Sequence, residues 1–343
     1  YKAFELASGR GYPVSILTPG INKIEIFNAL KNLAPNFDQV ILAGYPPFLK
    51  DIIDEAPYQK IKINKLNLRL LFAAEPFTET FRDYISKEAS IKNPYLDTLN
   101  IYGTADIGTM AYETPLSILI RKLALSDTKL FQRLFPNVQK TPTLAQYNPY
   151  FITFESVADE ILLTGNSAIP LIRYKIGDNG GILSYSEIVS EFAQAGIDIK
   201  KEAAKVGIVK HLYQLPFVYI YERSDFSTTL YGLQIYPETI KEALLSPMLS
   251  KYVTGKMTML TKFSKKQDQY LQIHIELRKG KKETATLKKL LQKKIVSTLQ
   301  EKNAEFRELH GYLGKKAIPK ITCWPAEHSQ YFQPGVKQKW VVQ

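Results

Sequence analysis

Leu68-Arg69-Leu70-Leu71-Phe72-Ala73-Ala74 runs directly into Glu75-Pro76-Phe77-Thr78-Glu79. The first seven residues form a short apolar run that reads as a strand, and Thr78 to Lys87 has the spacing of a helix. The same succession appears upstream. Pro13 to Leu17 is strand-like, Lys23 to Leu33 is helical, Gln39 to Ala43 is a short apolar run ending at Gly44, and Pro47 to Glu55 is helical again. Downstream, Leu99-Asn100-Ile101-Tyr102 ends at a glycine. Strands alternating with helices predict an α/β sheet with parallel strands. In such sheets the functional loops follow the carboxyl ends of the strands, here after Ala43, Ala74 and Tyr102.

The pattern changes over residues 148–185. Short strand-like runs (Pro149 to Phe154, Glu160 to Thr164, Leu171 to Tyr174) are divided by turn residues, which predicts an antiparallel or barrel-like subdomain. One or two helices are expected over 186–213. The remainder reads as a small α+β unit: a helix from Pro237 to Leu245, strands at Lys256–Thr261 and Tyr270–Arg278 joined by a Lys-rich turn, a long helix from Glu283 to Lys302, and a final strand pair. The expected division is therefore a large unit over 1–224 and a small one over 225–343.

The 343 residues suit about two domains, and 45% hydrophobic against 23% charged residues is an ordinary globular balance. No apolar run approaches the roughly 20 residues that span a bilayer. No signal peptide opens the chain, and the single Cys323 excludes an internal disulfide, so a cytoplasmic protein is expected. Cys323 reads as a small apolar residue of the run Lys320 to Cys323. The four histidines are scattered and show no metal-site spacing; His274, in the alternating run Leu271 to Leu277, reads as a polar-face strand residue. The net charge of +12 lies essentially in residues 226–343, which hold 21 Lys/Arg against 9 Asp/Glu. That asymmetry fits an anionic partner. It also fits a solvated helix face, because Lys288, Lys289, Lys293 and Lys294 lie opposite Leu287, Leu290, Leu291 and Ile295.

Four segments carry candidate chemistry. Ala73 to Glu79 sets a carboxylate between a strand and a helix, where Glu or Thr can equally cap the helix. Ile101-Tyr102-Gly103-Thr104-Ala105-Asp106 ends a strand on an aromatic ring, turns at a glycine and adds a carboxylate that can hold Mg²⁺ against phosphates. Pro170-Leu171-Ile172-Arg173-Tyr174-Lys175-Ile176-Gly177-Asp178 alternates basic and apolar residues, then places Asp178 where a ribose diol can donate to it; the plain alternative is a surface strand with an Asx turn. Tyr221-Glu222-Arg223-Ser224-Asp225, with Gly232-Leu233-Gln234-Ile235-Tyr236-Pro237 beyond it, sets a charged cluster at the expected junction, then a strand leading into a helix begun by proline.

In order and spacing these segments resemble the adenylate-forming superfamily of acyl-CoA ligases, luciferases and peptide-synthetase adenylation domains, and most nearly its phenylacetate–coenzyme A ligase-like branch. Ala73–Glu79 is similar to that branch's GAEP-x-[ST]-E. Tyr102–Asp106 is similar to its YG-x-[ST]-E, with Asp for Glu. Pro170–Asp178 and Gly232–Ile240 match closely. Glu222–Phe226 resembles the hinge GRSDD with Glu for the first residue and Phe for the last. Val336–Val341 resembles the late lysine segment without its Gly and Arg. The resemblance implies ATP, Mg²⁺ and coenzyme A as reactants and cofactors. A carboxylic acid, aryl or medium acyl, would be activated as an acyl-adenylate and then passed to a thiol.

It further implies roles. Tyr102 would stack on adenine, with Gly103, Thr104, Glu75, Arg173 and Arg223 also at the nucleotide. Asp106 would bind Mg²⁺ and Asp178 the ribose. Lys337, or else Lys339, would bridge carboxylate and α-phosphate. Asp225 would be the hinge of a mobile small domain. The acid pocket would be lined by Gly44 to Phe48, Phe72 and Gly108 to Met110. An acidic carrier protein is an alternative thiol donor, a homodimer is implied at family level, and nucleic acid is not expected, since no aromatic–basic interleaving occurs. The family's Ser/Thr/Gly-rich phosphate loop is not found here, so an upstream portion of about 100–150 residues, the size of a small domain, is expected to be missing and this chain to be inactive alone. The alternatives are a non-catalytic binding protein on the same fold, and acyl transfer to a protein thiol.

Overall fold

The computed structural model describes residues 2–74, 76–136, 141–166, 169–221, 228–332 and 341. After α1 (Lys2–Gly9) the chain runs without regular structure to α2 (Lys23–Asn32), capped by the Asn22 side chain. The expected strand over Pro13–Leu17 is not formed. Val14 and Leu17 are exposed, and no described strand pairs with this stretch. A lone strand leaves both its backbone groups and its apolar side chains uncovered.

The next elements follow the sequence reading closely. They are β1 (Val40–Gly44), α3 (Pro46–Glu55), β2 (Leu68–Ala73), α4 (Glu79–Glu88), α5 (Pro94–Asp97) and β3 (Thr98–Thr104). Strands β1, β2 and β3 are parallel neighbours, each returned by a helix. Proline opens α3, where its missing N–H costs nothing, and Thr78 Oγ1 accepts from the Phe81 N–H at 3.2 Å to cap α4.

Among the described residues of this sheet, only these three strands pair in parallel. β4 (Gly108–Tyr112) folds back antiparallel on β3. Beyond it come α6 (Pro115–Ser126), α7 (Thr128–Leu134), β5 (Thr143–Gln146), β6 (Ile152–Val157), β7 (Glu160–Gly165), β8 (Leu171–Leu183), α8 (Tyr185–Gln194), α9 (Ile199–Lys205) and β9 (Phe217–Ile220). The sheet order is β1-β2-β3-β4-β5-β9-β8-β7-β6. The β-rich stretch is antiparallel, as expected, and curls so that residues of β4, β6, β7, β8 and β9 share one apolar cluster. β8 pairs with β7 along its first part and, through Gly180 to Leu183, with β9, so the meander continues the main sheet. Gly180 permits this junction: a Cβ there would lie 2.0 Å from the Tyr219 carbonyl oxygen.

The smaller unit begins with the hairpin β10 (Thr228–Leu230) and β11 (Leu233–Ile235). It turns on Tyr231 and Gly232, both at positive φ, as a two-residue hairpin turn requires. Then follow α10 (Pro237–Leu244), β12 (Val253–Phe263), β13 (Gln269–Leu277), α11 (Ala285–Lys302), α12 (Ala304–Leu313) and β14 (Lys320–Trp324). β12 and β13 are antiparallel, and β14 joins β13 in parallel after the helical crossover. Of the expected final strand pair, β14 is formed and Val341 bridges Met259 in parallel; residues 333–340 and 342–343 lie outside the described residues. α11 buries Leu287, Leu291, Ile295 and Leu299 and leaves Lys289 and Lys293 exposed, as its pattern predicts. The overall architecture is mixed α/β: one large sheet with helices, and a smaller C-terminal sheet region.

Candidate functional site

Tyr102 and Asp178 lie 76 positions apart in the chain, and the fold joins them. The Tyr102 Oη donates to Asp178 Oδ2 at 2.6 Å. β3 carries the tyrosine and β8 the aspartate, four places along the sheet order, and the curl of the sheet round a shared apolar cluster brings them into reach. Phe154 on β6 supports the Tyr102 ring in a stacked arrangement, centroids 6.1 Å apart, and Tyr147 packs edge-on against Phe154. Asp178 is not on a turn at a strand end, as its sequence suggested. It sits inside the 13-residue β8 and is buried, because irregular pairing with β7 around Gly177 turns the strand there.

The β3–β4 turn brings the second carboxylate. Asp106 Oδ2 accepts a hydrogen bond from Tyr174 Oη of β8 at 3.2 Å. Thr104 ends β3, and its Oγ1 accepts from the Ile107 N–H at 3.3 Å, bracing the turn. Gly103 does not make the turn. It lies within β3 at a register shift, where a Cβ would meet the Gly108 carbonyl oxygen at 2.4 Å, so close backbone approach demands glycine. Arg173 is also near, but its side chain is engaged. Nε donates to Glu155 at 3.2 and 3.3 Å, and Lys175 pairs with Glu160 at 2.6 Å. Glu75, Arg223, Asp225 and Lys337, with its alternative Lys339, lie outside the described residues.

Beneath β3 is a buried ionic network that no sequence pattern revealed. Arg82 on α4 donates to Glu79 at 2.8 Å and to both oxygens of Glu113 at 2.8 and 2.9 Å; Arg121 on α6 donates to Glu113 at 2.5 Å and to the Phe77 carbonyl at 2.7 Å. Glu113 also accepts from the Asn100 N–H at 3.0 Å, two residues before Tyr102. All four charged residues are buried. Burial alone would raise the Glu79 pKa, but Arg82 and Arg121 outweigh it and hold the carboxyl below its usual range. Burial would likewise lower the Arg82 pKa, and Glu113 and Glu79 reverse the shift upward. Glu79 was legible only as part of a motif; Glu113 carried no signal, because pairing across 31 positions depends on the fold.

Of the described residues expected at the acid pocket, Phe48, Phe72 and Met110 are buried and do not converge. Phe48 and Phe72 are buried in the core, Phe72 packing against Phe77 and Phe81, while Met110 belongs to another apolar cluster, beneath β6, β7 and β8. Tyr45 is turned to the smaller unit, its ring so near Gly232 that a Cβ there would come within 2.7 Å. His274 is likewise not on a polar face. It is buried and its Nδ1 accepts from Trp324 Nε1 at 2.8 Å, while Tyr331 stacks on it at 4.3 Å. Cys323 is buried on β14, as expected.

Among the described residues no group of three or more His, Cys, Asp or Glu converges as a metal site, and no helix is long and apolar enough to cross a membrane. Mg²⁺ typically takes one or two carboxylates and completes its shell with phosphate oxygens and water; Asp106, on the β3–β4 turn, is an exposed carboxylate held by Tyr174.

No protein-family model matches the sequence, and no curated protein does. Among solved structures, a 2-hydroxyisobutyryl-CoA ligase in complex with 2-HIB-AMP and CoA, in its thioesterification state, is similar with a TM-score of 0.55 at 14% identity, over 96% of this chain and 58% of that one. The amide bond synthetase McbA from Marinactinospora thermotolerans is similar at 9% identity over 92% of this chain and 53% of that one, with a TM-score of 0.49. The likeness to the ligase shows the fold. The chain spans less than two thirds of the length of either structure.

Proposed function

We propose that this chain is the larger C-terminal part of an ATP-dependent, AMP-forming acid–thiol ligase of the phenylacetate–coenzyme A ligase-like kind. The observation that supports it best is the 2.6 Å hydrogen bond from Tyr102 to Asp178. Two motifs assigned by resemblance to one nucleotide meet at one place, with Asp106 held nearby by Tyr174. The fold shared with a CoA ligase agrees with this reading.

In this mechanism the Tyr102 ring, backed by Phe154, offers a stacking surface for adenine. Asp178, oriented by the Tyr102 hydroxyl, accepts hydrogen bonds from the ribose. A carboxylate oxygen of the acid attacks the α-phosphorus of ATP, the bond to the β-phosphate oxygen breaks, and pyrophosphate leaves. The thiol sulfur of coenzyme A then attacks the acyl carbon, the thiol proton is lost, and AMP departs. A bound Mg²⁺ would neutralise charge on the phosphate oxygens, and Asp106 is the residue to hold it. Lys337 would supply positive charge where the α-phosphate becomes crowded with negative charge. Residues 1–224 and 225–343 would act as two domains hinged at Asp225, and an upstream segment would supply the phosphate loop. The buried Glu79–Arg82–Glu113–Arg121 network keeps β3 in register beneath Tyr102 through the Asn100 N–H.

Equilibrium binding of AMP to the chain tests the nucleotide site. Tyr102→Ala removes a stacking partner worth about 1–3 kcal/mol per base, so affinity should fall roughly 5- to 150-fold. Asp178→Asn should weaken AMP more than 2′,3′-dideoxy-AMP. Equal AMP affinity in wild type and both variants would exclude this site.

A further inference from the structure

Helix α3 faces the smaller unit with charged residues that are almost wholly buried. Lys50 is 1% exposed and Asp51 0%. Lys50 Nζ bonds Asp54 of its own helix at 2.5 Å and reaches Asp268, in the turn between β12 and β13, at 3.0 Å. Asp51 bonds Lys316, just after α12, at 2.5 Å, with Lys23 of α2 3.6 Å away. Lys316 lies 3.7 Å from Asp268 as well, so the two crossings form one chain of alternating charge. Tyr84 donates to Asp54 at 2.9 Å, Ser264 to Asp268 at 3.1 Å, and Lys23 to Glu55 at 2.6 Å, which fixes the outer members.

We infer that Lys50 and Asp51 of α3, with Asp268 and Lys316 of the smaller unit, are positioning residues that clasp the smaller unit on α3 in one orientation. Apolar packing also joins the two units, Tyr45 against Gly232 among its contacts, but such packing tolerates sliding. Ion pairs do not: a few degrees of rotation would take Asp268 from Lys50 and Lys316 from Asp51, leaving the buried Lys50 with Asp54 alone and the buried Asp51 with only Lys23, 3.6 Å away. The charges therefore select the register. Burial would depress Lys50, but Asp54 and Asp268 outweigh it and raise its pKa, and Lys50 and Lys316 hold Asp268 below the usual carboxylate range against burial. Asp51 is shifted the other way: burial raises its carboxyl against the opposing pull of Lys316 and Lys23.

Its consequence rests on the proposed ligase reading: rotation of the smaller unit between adenylation and thiol transfer has to break this network first. Its test does not. Spin labels at Tyr58→Cys and Lys293→Cys, both exposed positions on opposite sides of the clasp, report the distance between the units by double electron–electron resonance without substrate. Cys323, buried with its thiol pushed up to about 12, stays unlabelled. The doubly labelled parent should give one narrow distance. Lys50→Met should add a second distance or at least double the width, as should Asp268→Asn at the more accessible end, while Asp268→Glu restores the narrow distribution. A narrow, unshifted distance in Asp268→Asn with native circular dichroism would overturn the inference. If Lys50→Met does not fold, the Asn and Glu pair at Asp268 decides it alone.

Discussion

Replacing Glu113 with Gln keeps its shape and removes its charge from a buried site. In the native chain Glu113 receives hydrogen bonds from Arg82 at 2.8 and 2.9 Å, Arg121 at 2.5 Å and the Asn100 amide at 3.0 Å. Among the described residues, Glu79 would then be the only carboxylate facing two guanidiniums whose side chains are 0% exposed. Removing one partner of a buried pair costs about 3–5 kcal/mol, chiefly because the remaining charge is stranded. The loss should appear in urea unfolding followed by far-ultraviolet circular dichroism. Amides of β3 should exchange faster as well. Asp83→Ala is the control: it removes an exposed pair with Lys122, worth at most about 1 kcal/mol. If Glu113→Gln costs no more than Asp83→Ala, the network does not hold β3.

Other outcomes follow from the same contacts. Tyr102→Phe keeps the ring and loses the donor to Asp178, so AMP binding should weaken less than in Tyr102→Ala; equal losses would deny the ring a stacking role. Burial, with a smaller effect from Lys262, depresses His274 from 6.5 to about 4. The unfolded chain therefore binds the extra proton between those values, and this contribution to stability, up to about 3 kcal/mol, is complete above pH 6.5 and fades as pH falls toward 4. His274→Gln keeps an acceptor for Trp324 and does not titrate, so it should lose less stability than wild type between pH 7 and 4; parallel curves would contradict the assignment. Cys323 should resist a thiol reagent such as Ellman's in the native protein and react fully in urea.

The first half of the fold was readable because each apolar run from β1 to β3 is flanked by a helix with its own caps, and period and punctuation agreed. The antiparallel half was harder. β8 serves two neighbours with one strand, and nothing local marks Gly180 as the crossing point. Tyr102, Asp106 and Asp178 were legible as candidates, since an aromatic ring and carboxylates at strand ends stand out, but their meeting depends on sheet order. Phe48 and Phe72 look alike whether they line a pocket or fill a core, and they fill a core. Glu113, Lys50 and Asp51 look like any surface charge until the partners across the fold are known. The aromatic cluster that buries His274 draws on Trp324 and Tyr331, far along the chain.

Exchange of radiolabelled pyrophosphate into ATP, with Mg²⁺ and a panel of carboxylic acids, tests acid adenylation most directly. It is run on this chain and on a form extended upstream, with Asp178→Ala and Lys337→Ala beside each. Exchange dependent on both Mg²⁺ and an acid, present in the extended form, weak or absent in the chain alone, and lost in both variants, is the predicted result. An extended form that neither exchanges pyrophosphate with any acid nor binds AMP would contradict the proposal and leave a non-catalytic protein on this fold.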